Sequence, residues 1–293
     1  MATLLDVVLP VLVIIVMTTV GTDLRIEDFR RVRDYPVLVP AVVLGQWVLL
    51  PLAAGAIVTI LPLTPAVAGG ALLVAAAPVA ALSCLYTHLA GGQLALAITI
   101  AAVSNALAGV LTPLVAALAF RWFAQMGPEL ALPAGRLAQQ IFVGLVLPLA
   151  AGMLVRHLAP GAVARARGPL QVLSTLAIVA VLAFVVADQI DSIRAQIGEL
   201  LVVSALFTLV MLAFGAITAR LFARRSEDRR ALLWGFPARN VGIATLIATA
   251  VVGQVAMASF VAVLFATQVA MLVPLALWMR QRAGRVGAGM PIV

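Results

Sequence analysis

Long apolar runs separated by short polar segments make up almost the whole chain. Stretches of about 20 largely apolar residues are long enough to cross a bilayer. Nine such stretches lie near 5–22, 36–60, 66–89, 94–124, 137–157, 170–187, 196–223, 229–252 and 255–281. They lack the strict alternation of outer-membrane barrel strands. The pattern predicts an all-α polytopic membrane protein with about nine transmembrane helices.

Composition excludes a water-soluble fold. The 293 residues are 64% hydrophobic and 10% charged, whereas soluble domains have roughly 25% charged residues. The first apolar stretch lacks a basic leading segment and a cleavage site of small residues. We therefore expect it to be a retained span and not a signal peptide.

The arginines predict how the chain is oriented. All nineteen basic residues are Arg, and basic residues are enriched in cytoplasmic loops. Fifteen follow the first, fifth, seventh and ninth stretches, and only Arg121, Arg136 and Arg194 lie in the opposite loops. We expect an external amino terminus, a cytoplasmic carboxyl terminus and a plasma membrane location, the inner membrane in a bacterium. The net charge of +8 does not indicate nucleic-acid binding, because the basic residues are spread over several short membrane loops.

An internal repeat divides the chain. A shift of 161 residues places Gly92 on Gly253 and Pro113 on Pro274. The two copies run in opposite directions in a nine-span topology, which predicts inverted repeats and alternating access. The alternative is that small-residue helices resemble one another because they share packing requirements. The predicted units are a first repeat, a second repeat and a cytoplasmic tail, at residues 1–124, 137–281 and 282–293.

Each repeat contains an interrupted span. Pro78 begins the first interruption, which extends to Cys84, and Pro237 lies in the second, between Gly235 and Gly242. Proline removes a backbone donor, and broken helices near the midplane hold substrate in many transporters. These two crossover segments, with Pro78, Gly235 and Pro237 as their backbone residues, predict a ligand site. The alternative is that each proline only kinks its helix.

Arg239 is a charge inside the membrane. It lies ten residues into the eighth stretch, where a guanidinium costs about +2.5 to +3.5 kcal/mol. All eleven acidic residues fall in loops or near span ends, so no carboxylate at that depth can pair with it. The candidate partners are the carbonyl end of a half-helix, polar side chains or an incoming anion. Arg239 therefore either acts on substrate or charge coupling, or holds the crossover as a structural residue.

Other polar side chains at membrane depth are few. Buried amides cost more than single hydroxyls, which generally bond to their own helix. The residues that we predict to bind substrate are Arg239, Asn240, Ser83, Cys84, Asn105, Thr267 and Gln268. The sequence has no catalytic constellation and a single cysteine. We therefore expect neither an enzyme nor a metal site, and no cofactor.

Several short motifs carry a family resemblance. In chain order they are Val16 through Asp28-Phe29, Gln46 with Pro51, Ala77-Pro78 through Ser83-Cys84, and Arg239 through Ala244. Together they resemble the bile acid:sodium symporter family over essentially the whole chain. The resemblance implies a panel domain from spans 1, 5 and 6 and a core domain from spans 2 to 4 and 7 to 9. It also implies a small organic anion as substrate; no protein partner is indicated beyond the lipid bilayer.

The chain departs from the family pattern at the expected sodium ligands. Cys84 replaces an asparagine, Gly235 an acidic ligand and Arg239 a glutamine, while Gln46 and Ser83 match as residual cation-site candidates. Sodium prefers oxygen ligands and a compensating negative charge. We therefore expect an organic-anion transporter that does not depend on sodium. The alternatives are a sodium-coupled symporter and, from a different class, a non-transporting scaffold or ligand sensor.

Overall fold

The computed structural model describes residues 11–22, except 13 and 20, residues 30–123 and 147–288, and positions 139, 142 and 143. Within these residues, regular structure is helical apart from one isolated β-bridge. In chain order the helices are α1 (Leu38–Ile60), α2 (Pro65–Ala76), α3 (Leu82–Leu89), α4 (Leu94–Phe123), α5 (Leu147–Leu158), α6 (Pro160–Asp188), α7 (Ile190–Ala195), α8 (Ile197–Phe222), α9 (Ser226–Trp234), α10 (Val241–Leu246) and α11 (Val255–Ala288). A π-helical turn, Ile247–Val251, extends α10. Helical residues between 11 and 22 precede them.

Five of the described helices are long and apolar enough to cross a membrane, namely α1, α4, α6, α8 and α11. A sixth candidate joins α5 to the start of α6 through a bend of 113°. The predicted third and eighth spans are each divided into two short helices, α2 with α3 and α9 with α10. Parts of the predicted first and fifth spans lie outside the described residues. The described part of the chain is thus a polytopic helical membrane protein with five or six span candidates.

The order of helices repeats within the chain. Helices α1 to α4 begin at residues 38, 65, 82 and 94, and α8 to α11 begin at 197, 226, 241 and 255, so the offsets are 159, 161, 159 and 161. The last helix of each set follows a turn that contains a glycine in the left-handed region, Gly91 with φ 68° and Gly253 with φ 72°. Side chains other than hydrogen are strained in that conformation. Two of the four offsets equal the shift of 161 residues found in the sequence, and the other two are shorter by two residues.

Helix α2 lies at the centre of the molecule. Ten of its 12 residues are buried, and it packs against α1, α4 and α11. Small residues make this close approach possible: a Cβ on Gly69 would lie 2.6 Å from Sδ of Met257, and one on Gly70 would lie 2.6 Å from that residue's carbonyl oxygen. Gly69 and Gly70 therefore let α2 approach α11 closely.

Helix α6 has the opposite character. Only 22% of its most apolar 18-residue stretch is buried, whereas 50% of the corresponding stretch of α1 is buried. Several large apolar side chains in this stretch are exposed, including Val172, Leu176 and Val179. Such a surface is stable in hydrocarbon but not in water. The outer face of α6 therefore faces lipid.

Candidate functional site

Two interruptions of the helices lie side by side. The first separates α2 from α3, and the second separates α9 from α10. The amide of Ala80 donates to the carbonyl of Ala238, and the amide of Asn240 donates to the carbonyl of Pro78, both at 2.8 Å. Backbone groups that lose their helical partners at a break must bond elsewhere when they are buried. Here the two breaks satisfy each other through an antiparallel bridge.

Arg239 belongs to this bridge and points into the protein. It is 2% exposed. Its Nη1 donates to Oε1 of Gln46 at 2.5 Å, and its Nη2 lies 3.4 Å from the carbonyl oxygen of Ala75. Ala75 is next to the last residue of α2, so this oxygen belongs to the negative end of a helix dipole. Among the described residues no acidic side chain pairs with Arg239, and its Nε has no hydrogen-bond partner.

Gln46 connects the guanidinium to the first break. Its side chain is fully buried on α1, and its Nε2 donates to Oγ of Ser104 on α4 at 2.7 Å. The same hydroxyl oxygen accepts the backbone N–H of Val79 at 3.0 Å. Both ends of the Gln46 amide are used, which fixes the orientation of the side chain. One continuous chain of hydrogen bonds therefore runs from the second break through α1 and α4 to the first.

The two asparagines at the site also hold backbone. Nδ2 of Asn105 donates to the carbonyls of Val79 and Ala101, each at 2.8 Å. Oδ1 of Asn240 accepts the N–H of Ile243 at 3.1 Å and thereby caps α10. An N-cap of this kind is typically worth about 1 kcal/mol. Both side chains are partly exposed, whereas Arg239 is 2% exposed and enclosed by the protein.

The other predicted site residues lie on α3 and α11. Ser83 is 2% exposed, and its hydroxyl is 4.0 Å from Sγ of the partly exposed Cys84. Thr267 bonds to the carbonyl of Val263 in its own helix at 2.8 Å. Gln268 is 2% exposed, and its Nε2 has no hydrogen-bond partner. The structure thus brings Gln46, Asn105, Arg239 and Asn240 together at the paired breaks; no hydrogen bond joins Thr267 or Gln268 to them.

Ser104 and Gly235 have roles that the sequence did not reveal. The sequence alone indicated no role for Ser104, although its position beside Asn105 at membrane depth was a sign that it lies near the site. Gly235 was expected in the crossover backbone, and it is the C-cap residue at which α9 ends, with an ordinary helical φ of −67°. A Cβ there would lie 2.6 Å from Cγ1 of Val42. The requirement at Gly235 is therefore space against α1.

A small cavity adjoins the paired breaks. It lies between α4, α5, α10 and the helical residues before 22, and its lining includes Met17, Asn105, Thr112, Leu149 and Ile243. Its volume is about 10 Å³, about the space that one water molecule needs. The hydroxyl of Thr112 is buried with no hydrogen-bond partner. The cavity itself therefore has room for about one water molecule beside Asn105.

Apolar spans around two paired, interrupted helices define a polytopic membrane protein with a polar centre. A sequence model of the Sodium Bile acid symporter family matches residues 10–196. This match covers more than half of the chain, and the chain belongs to that family. It is therefore an integral membrane transporter, in agreement with the resemblance noted in its motifs.

Two relatives show how far the similarity extends. The chain is 28% identical over 242 residues to an uncharacterised sodium-dependent transporter of Bacillus subtilis, covering 80% of this chain and 72% of that protein. It is also 28% identical over 199 residues to a probable chloroplastic sodium/metabolite cotransporter of rice, Oryza sativa subsp. japonica. That alignment covers 68% of this chain and 46% of the rice protein.

Proposed function

We propose that this chain is a secondary transporter that moves a small organic anion by alternating access and does not require sodium. One observation carries the proposal: the guanidinium of Arg239 is fixed between Gln46 and Ala75 at the paired breaks. A tethered cation then occupies the position in which a dissociable cation would otherwise bind the same oxygens. Membership of the family supports transport, and the family resemblance places a glutamine at the position of Arg239.

The residues around Arg239 do not suit a sodium ion. Oε1 of Gln46 already accepts a hydrogen bond from Arg239, and position 235, where the family resemblance places an acidic ligand, is a glycine. A second unit charge 4 Å from the guanidinium would be repelled by about 4 kcal/mol at an effective dielectric constant of 20. At about 1.4 kcal/mol per factor of ten, that is nearly a thousandfold loss of affinity. Gln46 is therefore better explained as a hydrogen-bond partner of Arg239 than as a sodium ligand.

An anionic substrate follows from the same charge. No acidic side chain of the described residues pairs with Arg239, so its positive field extends into the surrounding low-dielectric protein. Asn105 and Asn240 lie at the same breaks and are partly exposed. We infer that the anion binds the asparagines at the core surface while Arg239 attracts it from inside, without direct contact.

Alternating access is supported by the repeated order of helices. In the proposed nine-span topology α1 to α4 and α8 to α11 are inverted copies that form the core, and α5 and α6 belong to the panel with the first span. Three contacts agree with this topology, because each joins segments that it places on the same side. These contacts are Thr64 with Glu199, Gly91 with Arg230, and Thr22 with Arg156.

A sodium-coupled symporter is the second candidate. The Bacillus subtilis relative is named a sodium-dependent transporter and the rice relative a probable sodium/metabolite cotransporter, and each is 28% identical to this chain over the aligned residues. In such a symporter the backbone carbonyls at the breaks would have to supply a sodium site apart from Gln46. Sodium would then stabilise the protein even in the absence of an organic anion.

A thermal-stability screen of the purified protein tests the proposal. Small organic anions would be added in sodium and in choline buffers, since a ligand raises apparent stability by mass action. We expect at least one anion to raise the melting temperature equally in both buffers. A rise that occurs only with sodium supports the second candidate, and saturable uptake into liposomes separates either transporter from a scaffold or sensor.

A further inference from the structure

A large groove lies on the outside of the bundle, away from the paired breaks. It runs between the carboxyl-terminal halves of α1 and α4 and has a volume of about 580 Å³. Pockets that hold drug-sized ligands commonly measure about 300–1,000 Å³. The groove opens along side chains that the bundle leaves uncovered, with Leu52 55% and Leu118 54% exposed. The transport site accounts for none of these residues.

We propose that this groove binds one acyl chain of an anionic phospholipid, with the lipid phosphate held by Arg121. The walls are apolar: the lining includes Pro51, Leu52, Val115 and Leu118, and none of the described lining residues is acidic. On an integral membrane protein such a surface is in contact with hydrocarbon. A lipid chain is the partner that the bilayer supplies everywhere along it.

The length of the groove fits a single acyl chain. Its lining on α1 extends from Trp47 to Thr59, and twelve residues of α-helix rise about 18 Å. One leaflet of a bilayer with a hydrocarbon core about 30 Å thick is about 15 Å deep. The groove therefore reaches from the membrane surface to the region of the midplane, where a lipid tail ends.

The charge at the open end of the groove selects the headgroup. Trp122 lines the groove and is 70% exposed, as is typical of an indole at the membrane interface. Arg121, one residue earlier in the last turn of α4, is exposed. An arginine near the surface of a membrane favours anionic lipid by about 1 kcal/mol, or about fivefold. Arg121 is thus placed for a phosphate whose acyl chain enters beside Trp122.

Quenching of the fluorescence of Trp47 by brominated acyl chains tests the proposal. Trp47 lines the inner end of the groove and is 6% exposed, so lipid elsewhere around the protein reaches its ring poorly. The reporter has Trp122→Phe, Trp234→Phe and Trp278→Phe in the full chain, in liposomes of brominated phosphatidylglycerol or phosphatidylcholine. We expect quenching by both lipids, with phosphatidylglycerol preferred about fivefold in mixtures.

Two substitutions and their matched controls locate the lipid. Arg121→Gln should abolish the preference for phosphatidylglycerol, and Ala56→Phe, at an exposed position in the groove wall, should reduce quenching by both lipids. As controls at exposed positions outside the groove lining, Arg194→Gln removes a positive charge and Val110→Phe introduces a phenyl ring, and neither should have an effect. Unquenched Trp47 would overturn the proposal, and so would a preference that survives Arg121→Gln.

The unaltered chain provides an independent measurement. Native mass spectrometry from mixed micelles should show one phosphatidylglycerol that stays bound to wild-type protein and to Val110→Phe but is lost from Ala56→Phe. Equal retention by all three proteins would contradict the groove as the site, whether or not the triple tryptophan variant folds.

Discussion

Arg239 and Gln46 are separated by 193 positions in the chain, yet they share a hydrogen bond in the protein interior. Arg239 lies in the second break and Gln46 on α1, so the contact links the two copies of the repeated helix order. A buried charge needs a polar shell of this kind to offset its desolvation. Among the described residues the shell consists of Gln46, a helix carbonyl and, through Gln46, Ser104, and it contains no opposite charge.

Substitution of Arg239 tests what its charge does. Arg239→Lys keeps the charge but loses the planar guanidinium, whose two terminal nitrogens contact the oxygens of Gln46 and Ala75. We therefore expect a moderate fall in uptake. Arg239→Gln loses both the charge and the guanidinium, and we expect a severe fall together with partial cation dependence. In Arg239→Gln the guanidinium no longer fills the position between the oxygens of Gln46 and Ala75. Added sodium should therefore raise the melting temperature of that variant.

The measurements are uptake and thermal stability of wild type, Arg239→Lys and Arg239→Gln, each with and without sodium. Arg194→Gln, at a 75% exposed side chain, serves as the control for loss of a positive charge. Arg239 is proposed to attract the anion and to replace a dissociable cation. Unchanged uptake in Arg239→Gln would contradict both roles and leave Arg239 as a packing residue.

Gln46→Leu should destabilise the protein more than Ser104→Ala. The leucine removes an acceptor from a buried guanidinium and a donor from Ser104, and an unmade bond to a charged group costs about 1.5–3 kcal/mol. Ser104→Ala removes only neutral bonds, worth about 1 kcal/mol each. Unfolding in detergent followed by tryptophan fluorescence gives the comparison. Equal losses in the two variants would show that the Arg239 contact adds nothing.

The sequence predicted where the interruptions lie but not how they pair. Pro78 and Pro237 marked both breaks, and the deep position of Arg239 required polar partners. Two of the proposed kinds of partner are present, a side-chain amide and the carbonyl end of a short helix. Which amide and which carbonyl depended on how α1 packs beside α2, and residues 193 positions apart carry no local signal of that contact.

Accessibility of single cysteines tests the nine-span topology. In a Cys84→Ala background, cysteines at positions 63, 32 and 227 lie in predicted loops. The basic residues of the loops predict that 63 labels from outside and that 32 and 227 label from the cytoplasm. A membrane-impermeant maleimide on intact and on permeabilised cells distinguishes the two sides. Labelling of 63 and 32 from the same side would defeat the nine-span arrangement.

Glu199 should stabilise the amino terminus of α2 from a distance in sequence. Its Oε1 accepts the N–H of Thr64 at 2.9 Å, and a carboxylate at the positive end of a helix dipole is favourable. Glu199→Ala should therefore lower stability by about 1 kcal/mol. Asp191→Asn is the control, since its 4.0 Å pair with Arg194 is at the surface and contributes little. If both variants melt together with wild type, the cap has no energetic role.

The candidate site shows what remains beyond sequence reasoning. Asn105 and Asn240 were selected because buried amides are costly, and both lie at the breaks. Gln268 was selected on the same ground, and Thr267 as a polar residue at membrane depth, but no hydrogen bond joins either of them to the breaks. Depth in the membrane is readable from a hydropathy pattern, whereas the direction of a side chain around its helix requires the packed neighbours.

Uptake of an organic anion into proteoliposomes under controlled cation gradients tests the central claim most directly. The anion would be one that stabilises the purified protein, supplied with inward gradients of sodium, lithium, potassium or choline at fixed membrane potential. Because Arg239 supplies the cation at the paired breaks, we expect saturable uptake at the same rate in all four gradients. Uptake that rises steeply with sodium, and that neither lithium nor potassium supports, would contradict this expectation.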